Sequence, residues 1–141
     1  MPSAAAVSGT HPDPHGIGSA VARLSMLTRR AGRTAFAVVA GELAEGEMVE
    51  VAVQCRYLGH GGVAVLVADR IVFANDREWE PEVMAMPIDA TTTVTGWQDE
   101  RSAALVIATG DVTVTIDQIR DRELAQALAA TVRAKAASAG Q

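Results

Sequence analysis

The feature that most constrains the fold is a series of short β-branched segments that ends in a single amphipathic helix. After Glu47, apolar residues alternate with polar ones for a few residues at a time, and turn residues separate the segments. Alternation with a period of two is typical of strands that bury one face. Leu124, Leu128 and Val132 instead recur every four residues, which is the spacing of a helix face. The sequence therefore predicts a mainly β fold whose antiparallel strands are capped by a C-terminal helix from about residue 120 to residue 136.

Seven strands are predicted, each bounded by turn residues. They span residues 48–54, 63–68, 71–74, 83–87, 91–98, 103–109 and 112–117. The intervening segment CRYLGHGG, residues 55–62, predicts a mobile glycine-rich loop, and the alternation in the last strand places Val112 inside with Val114 and Ile116. We expect a core that contains Val51, Val65, Ile71, Phe73, Leu105, Ile107, Val114, Leu124 and Leu128.

Residues 17–45 predict a basic, amphipathic helical arm, which is interrupted or kinked near Gly32. Every charge between residues 14 and 40 is positive, whereas residues 41–141 carry sixteen acidic and eight basic side chains, a net −8. Because a helix of this kind needs a surface on which to bury its apolar face, we expect it to dock on its own chain or on a second copy, with an electrostatic contribution. The expected partner-binding residues of the arm are Arg23, Leu24, Arg29, Arg30, Arg33 and Val38.

Composition excludes several classes of protein. A net charge of −5 has the wrong sign for binding nucleic acid over the whole surface, and one cysteine cannot form an intramolecular disulfide. No apolar run approaches the length of a membrane span, and the first cation, Arg23, lies too late for a secretory signal. We expect a bacterial protein of the cytoplasm, free or peripheral at the membrane, with disordered tails at residues 1–16 and 138–141.

Seven short strands followed by one helix resemble the pleckstrin-homology-like (PH-like) fold, and more narrowly the bacterial PH-like domains. The resemblance lies in Gly46-Glu47 before the first strand, the hairpin at residues 68–73, Met86-Pro87-Ile88, and the run from Ile116 to Glu123. It implies a PH-like domain at residues 46–137, in which a small barrel or sandwich of seven antiparallel strands is plugged at one end by the helix. The C-terminal helix departs from many PH domains because residues 120–137 contain no tryptophan.

The resemblance also implies where a ligand would bind. In PH-like domains that bind phosphoinositides, basic residues of the loop after the first strand hold the headgroup; the matching positions here offer little positive charge and several acids nearby. The candidate ligand-binding residues are Arg56, Tyr57, His60, Arg77 and Trp79.

No catalytic or metal-binding constellation is expected. Cys55 and His60 lie five residues apart without an orienting group, and His11, Asp13 and His15 lie in a predicted tail with nothing to hold them around a metal. We therefore expect no cofactor, no metal, no small-molecule substrate and no nucleic acid. The expected function is that of a non-enzymatic interaction or assembly module that binds a protein partner or itself. The alternative is peripheral attachment to an anionic membrane through residues 17–43.

Overall fold

A computed structural model describes residues 12–141, which form three short helices, seven strands and a long C-terminal helix. The strands make one open antiparallel sheet of order β4-β3-β2-β1-β7-β6-β5, with β4 and β5 at its edges. The elements are α1 (Ile17–Val21), α2 (Met26–Ala31), α3 (Arg33–Glu42), β1 (Val51–Tyr57), β2 (His60–Leu66), β3 (Arg70–Asn75), β4 (Val83–Pro87), β5 (Thr93–Gln98), β6 (Ala103–Thr109), β7 (Val112–Ile119) and α4 (Arg122–Ala139).

The predicted fold class is confirmed: the chain is mainly β, with seven antiparallel strands and a C-terminal helix, and it is consistent with a PH-like sandwich. All nine predicted core residues are buried. The prediction for Val112 is wrong, since 43% of this residue is exposed. Val112 pairs with Thr109 across the tight turn between β6 and β7, at the very end of the hairpin. The C-terminal helix runs to Ala139, so it includes part of the predicted tail.

The first hairpin differs from the prediction of a long glycine-rich loop. β1 continues to Tyr57 and β2 begins at His60, which leaves only Leu58 and Gly59 in the turn. Both have positive φ, 53° and 82°, as a type I′ hairpin turn requires. Gly62 lies within the ladder, and this position requires a glycine because a Cβ there would come 2.7 Å from the carbonyl oxygen of Ala74.

Both faces of the sheet are buried at β2 and β3, which explains why their apolar residues do not alternate with polar ones. On one face α4 packs against β1, β5 and β6 and buries Leu124, Leu128 and Val132. On the other face α3 packs against β2 and β3. The close approach of Gly32 to Val63 marks this second contact, since a Cβ on Gly32 would lie 3.2 Å from that side chain.

The arm consists of three helices. The predicted break at Gly32 is present, and a second break, which the sequence did not predict, lies at residues 22–25. There the Ser25 hydroxyl caps α2 by accepting a hydrogen bond from the Thr28 N–H. The last residues of the predicted N-terminal tail, residues 1–16, are ordered. A turn at residues 13–16 precedes α1, and His15 Nδ1 lies 2.8 Å from the carbonyl oxygen of Glu47. The rest of that predicted tail, residues 1–11, lies outside the described residues.

Candidate interaction surface

The arm docks on the body of its own chain. Leu24, Ala35, Phe36 and Val39 are buried and belong to the same hydrophobic cluster as the sheet. Val38, the other apolar residue expected to mediate docking, is half-buried against that cluster. The apolar face of the arm is therefore used mainly within one chain, and a partner would meet the face that remains.

A polar contact fixes α2 to the start of α4. The carboxylate of Asp121, just before α4, accepts hydrogen bonds from the Ser25 N–H at 3.1 Å and from the Thr28 hydroxyl. Thr28 is buried and its hydrogen bond to Asp121 is partly buried, whereas the hydrogen bond from Ser25 is exposed. The donors and the acceptor of this contact are more than ninety residues apart in the chain, which makes it a tertiary restraint on the arm.

A second polar contact fixes the segment after α3 to β3. The guanidinium of Arg70 donates to both carboxylate oxygens of Glu47, with Nη2–Oε1 2.6 Å and Nε–Oε2 2.9 Å, and Nη2 also donates to the Glu42 carbonyl oxygen at 3.1 Å. The Ala44 N–H donates to the same carboxylate at 2.7 Å. These hydrogen bonds lower the pKa of Glu47 to about 2, because they favour its charged form.

The four arginines of the arm stay at the surface. Arg23, Arg29, Arg30 and Arg33 are exposed, and within residues 12–141 none of them forms an ion pair. The electrostatic contribution that we expect for docking therefore does not come from direct ion pairs of these arginines within this part of the chain. Arg29 donates to the Leu24 carbonyl oxygen at 3.2 Å. The positive charge of the arm thus remains available on its outer side.

An apolar groove of about 440 Å³ lies between the three arm helices, and three of these arginines stand around it. We call it the arm groove. Its apolar lining comes from all three helices, and Arg29, Arg30 and Arg33 supply the only charged side chains in its lining among the described residues. The lining residues are Ile17, Gly18, Val21, Met26, Arg29, Arg30, Arg33 and Phe36.

A second groove, of about 640 Å³, brings together two of the five candidate ligand-binding residues. Arg56 and His60 line it beside Leu27 and Arg120.

Tyr57, which was expected beside these residues, lies elsewhere. It is buried, and its ring packs against Phe73 on the inner side of the sheet, with ring centroids 5.7 Å apart. Burial raises the pKa of Tyr57. A tyrosine next to Arg56 in a strand points to the opposite face, so the structure separates these two candidates.

The other two candidates, Arg77 and Trp79, lie in the loop between β3 and β4. The base of this loop is fixed by the buried Asn75. Its Nδ2 donates to the Tyr57 carbonyl oxygen at 3.2 Å and to Glu82 Oε1 at 3.1 Å, and its Oδ1 accepts from the Glu82 N–H at 2.8 Å. Arg77 Nη1 lies 4.0 Å from Glu82 Oε1. Both ends of the loop are thereby held to the sheet.

At the tip of that loop Trp79 projects from the surface. Trp79 is 95% exposed and has a φ of 72°, a backbone conformation that non-glycine residues rarely adopt. Glu78 and Glu80 on either side are exposed as well. We call Glu78, Trp79 and Glu80 the Trp79 knob. In the sequence this stretch is an acidic linker between strands, and only its lone tryptophan signals that it presents an apolar side chain.

Of the residues considered for catalysis and metal binding, Cys55 and Asp13 have structural roles. The Cys55 thiol is buried in the core cluster, and burial raises its pKa, so it stays protonated at neutral pH. Asp13 accepts a hydrogen bond from the Gly18 N–H at 3.0 Å, and His11 lies outside the described residues.

Within residues 12–141 no three histidine, cysteine or acidic side chains come together as a metal site would require. None of the four helices in this part of the chain is long and apolar enough to cross a membrane.

Comparisons of the chain with protein-family models, with curated proteins and with solved structures found no match. Function is therefore inferred from the surfaces described above.

Proposed function

We propose that this protein is a non-enzymatic association module of the bacterial cytoplasm, in which a PH-like domain and its docked arm bind protein, with a second copy as the favoured partner. The observation that carries the proposal is the arm groove. Within the part of the chain that the structure describes, it remains open after the arm has buried its main apolar face. An apolar surface surrounded by three guanidinium groups that form no ion pair within residues 12–141 is suited to a partner that brings both apolar and acidic side chains.

The residue types of the arm groove favour protein over other ligands. Methionine, arginine and aromatic residues are enriched at protein interfaces, whereas lysine is depleted. Met26, which is exposed, and the three arginines meet that description. Guanidinium groups also lose water more readily than ammonium groups, so an arginine rim is less costly to bury.

A second copy has the charge that the arm groove needs. Residues 41–141 carry an excess of eight acidic side chains, and the arm carries four exposed arginines. Opposite charges on two parts of the same chain favour association between copies and steer their encounter. The buried, protonated state of Cys55 supports the non-enzymatic part of the proposal, because it leaves the one thiol unsuited to nucleophilic attack.

Sedimentation velocity of the full chain across a range of concentrations tests this function. We expect a monomer that converts to a dimer or larger assembly as concentration rises, and we expect Arg30→Gln with Arg33→Gln to weaken that association. Arg101→Gln is the control, since Arg101 is an exposed arginine in the turn between β5 and β6. A chain that sediments as a monomer at every concentration would contradict the proposal.

Peripheral membrane attachment is the second candidate, and it rests on two neighbouring side chains of α2. Met26 is 70% exposed and Leu27 is 69% exposed, and exposed arginines flank them in sequence. Two apolar side chains form a weak anchor, to which each arginine adds about 1 kcal/mol near an anionic surface. Flotation with phosphatidylcholine vesicles, with and without phosphatidylserine, tests it. Binding only to the anionic vesicles, abolished by Leu27→Asp, would favour this candidate, and no binding to either would exclude it.

A further inference from the structure

The arm groove and the Trp79 knob have complementary chemistry. The groove offers an apolar lining and three guanidinium groups, and the knob offers one large aromatic side chain between two carboxylates. The knob does not occupy the groove of its own chain, since Trp79 is 95% exposed. Among residues 12–141, therefore, no side chain fills the groove and none covers the knob.

The loop that carries the knob is anchored at its base. Asn75 forms hydrogen bonds to both sides of the loop, which reduces the ordering that binding of the tip would require. The exposed Trp79 leaves a large apolar area in contact with water, and its positive φ adds backbone strain. Tryptophan is also among the residues that most often dominate the binding energy of an interface.

The residue types that line the groove suit those of the tip. Ile17, Val21 and Phe36 give an apolar lining for an indole ring. An arginine side chain can stack on the face of the ring and also pair with a carboxylate, so the rim suits all three side chains of the knob. Three arginines line the groove, and the nearby Asp13 carboxylate is hydrogen-bonded to the Gly18 N–H, so the charge around the groove favours Glu78 and Glu80.

We propose that the Trp79 knob of one copy inserts into the arm groove of a second copy. The indole ring packs against Ile17, Val21 and Phe36, while Glu78 and Glu80 pair with arginines of the rim. The inference rests on the proposed function and names the segment that the groove receives. Because groove and knob are different surfaces, two copies can exchange knobs in a closed dimer, or successive copies can join head to tail.

A complementation experiment tests this contact with two variants. Trp79→Ala removes the knob and keeps the groove, whereas Arg30→Glu with Arg33→Glu reverses the rim and keeps the knob. All three positions are exposed, so both variants should fold, which circular dichroism verifies. We expect each variant alone to associate at least about tenfold more weakly than the unaltered chain. We expect their equimolar mixture to form a one-to-one complex, because each copy supplies the part that the other lacks.

Trp97→Ala is the matched control, since Trp97 is the other exposed tryptophan and lies on β5. Its removal should leave association unchanged. The inference is overturned if Trp79→Ala associates as tightly as the unaltered chain, or if the mixture of the two variants stays monomeric. If the unaltered chain associates through the arginines but Trp79→Ala has no effect, the inference fails and the proposed function stands. If the unaltered chain is monomeric at every concentration, both fail.

Discussion

At the scale of single residues, Glu47 has the clearest energetic role. Its carboxylate accepts two hydrogen bonds from Arg70 and one from the Ala44 N–H, so it joins the segment after α3 to β3. Bidentate arginine–carboxylate pairs are stronger than ordinary surface ion pairs because two parallel hydrogen bonds fix their geometry. The pair is partly exposed, and water reduces what it contributes.

Replacing Glu47 with glutamine should lower the free energy of unfolding by about 1 kcal/mol at neutral pH. The folded state holds the pKa of Glu47 near about 2, below the ordinary value of 4.5, so its contribution is present above pH 4.5 and is lost as the pH falls towards about 2. Urea denaturation at neutral pH and at acidic pH should therefore show the difference between Glu47→Gln and the unaltered chain shrinking with acidification. Glu45→Gln, at an exposed position, is the control, and an equal effect of both variants would contradict the assignment.

At the scale of elements, the break at Gly32 allows α2 and α3 to fold over the sheet. Gly32 ends α2 and precedes α3, and a Cβ there would lie 2.8 Å from the Phe36 ring and 3.2 Å from Val63. Only a glycine lets the backbone approach the sheet this closely without moving Phe36. Gly41, in α3, has nothing within 4 Å of the same position.

Replacing each of the two glycines with alanine should therefore change the free energy of unfolding in opposite directions. Gly32→Ala should destabilise the fold by about 1–3 kcal/mol, since it overpacks the contact between arm and sheet. Gly41→Ala should stabilise it by about 0.5–1 kcal/mol, because alanine favours the helix and no neighbour is displaced. Thermal unfolding of both variants measures the difference. Equal effects would show that α3 does not lie against the sheet at Gly32.

The strands could be predicted from the sequence, and the arrangement of the arm could not. The bounds of β4 and β6 follow from turn residues and alternation, which are local signals. The tight turn at Leu58 and Gly59 was missed because leucine is uncommon where φ is positive. At the second break in the arm, the Ser25 cap is a local signal, but the contact of Ser25 with Asp121 joins residues nearly a hundred positions apart. The arm groove exists only once three helices have docked, so local patterns carry no signal for it.

At the scale of the whole molecule, the sheet is held between two helical layers. The arm covers one face at β2 and β3, and α4 packs on the other side against β1, β5 and β6. Leu128 of α4 is fully buried in this arrangement. Leu128→Ala should lower the free energy of unfolding by about 2–5 kcal/mol, as for other buried leucines. Leu27→Ala, the same change at an exposed leucine, should stay within about 0.5 kcal/mol of the unaltered chain.

A decrease in the free energy of unfolding of less than about 1 kcal/mol for Leu128→Ala would mean that α4 does not bury Leu128 against the sheet. Urea denaturation gives both values on the same scale, and a similar effect of both leucines would contradict the burial of α4 as described.

Amide hydrogen exchange followed over a range of protein concentrations tests the central claim, that the arm docks within its own chain and leaves a surface for a second copy. We expect α3 to be protected equally at every concentration, because its contact with β2 and β3 is intramolecular. We expect residues 17–31 and 76–82 to gain protection together as concentration rises, since these segments carry most of the arm groove and the Trp79 knob. Rapid exchange of α3 on dilution, or no concentration dependence in either segment, would contradict the claim.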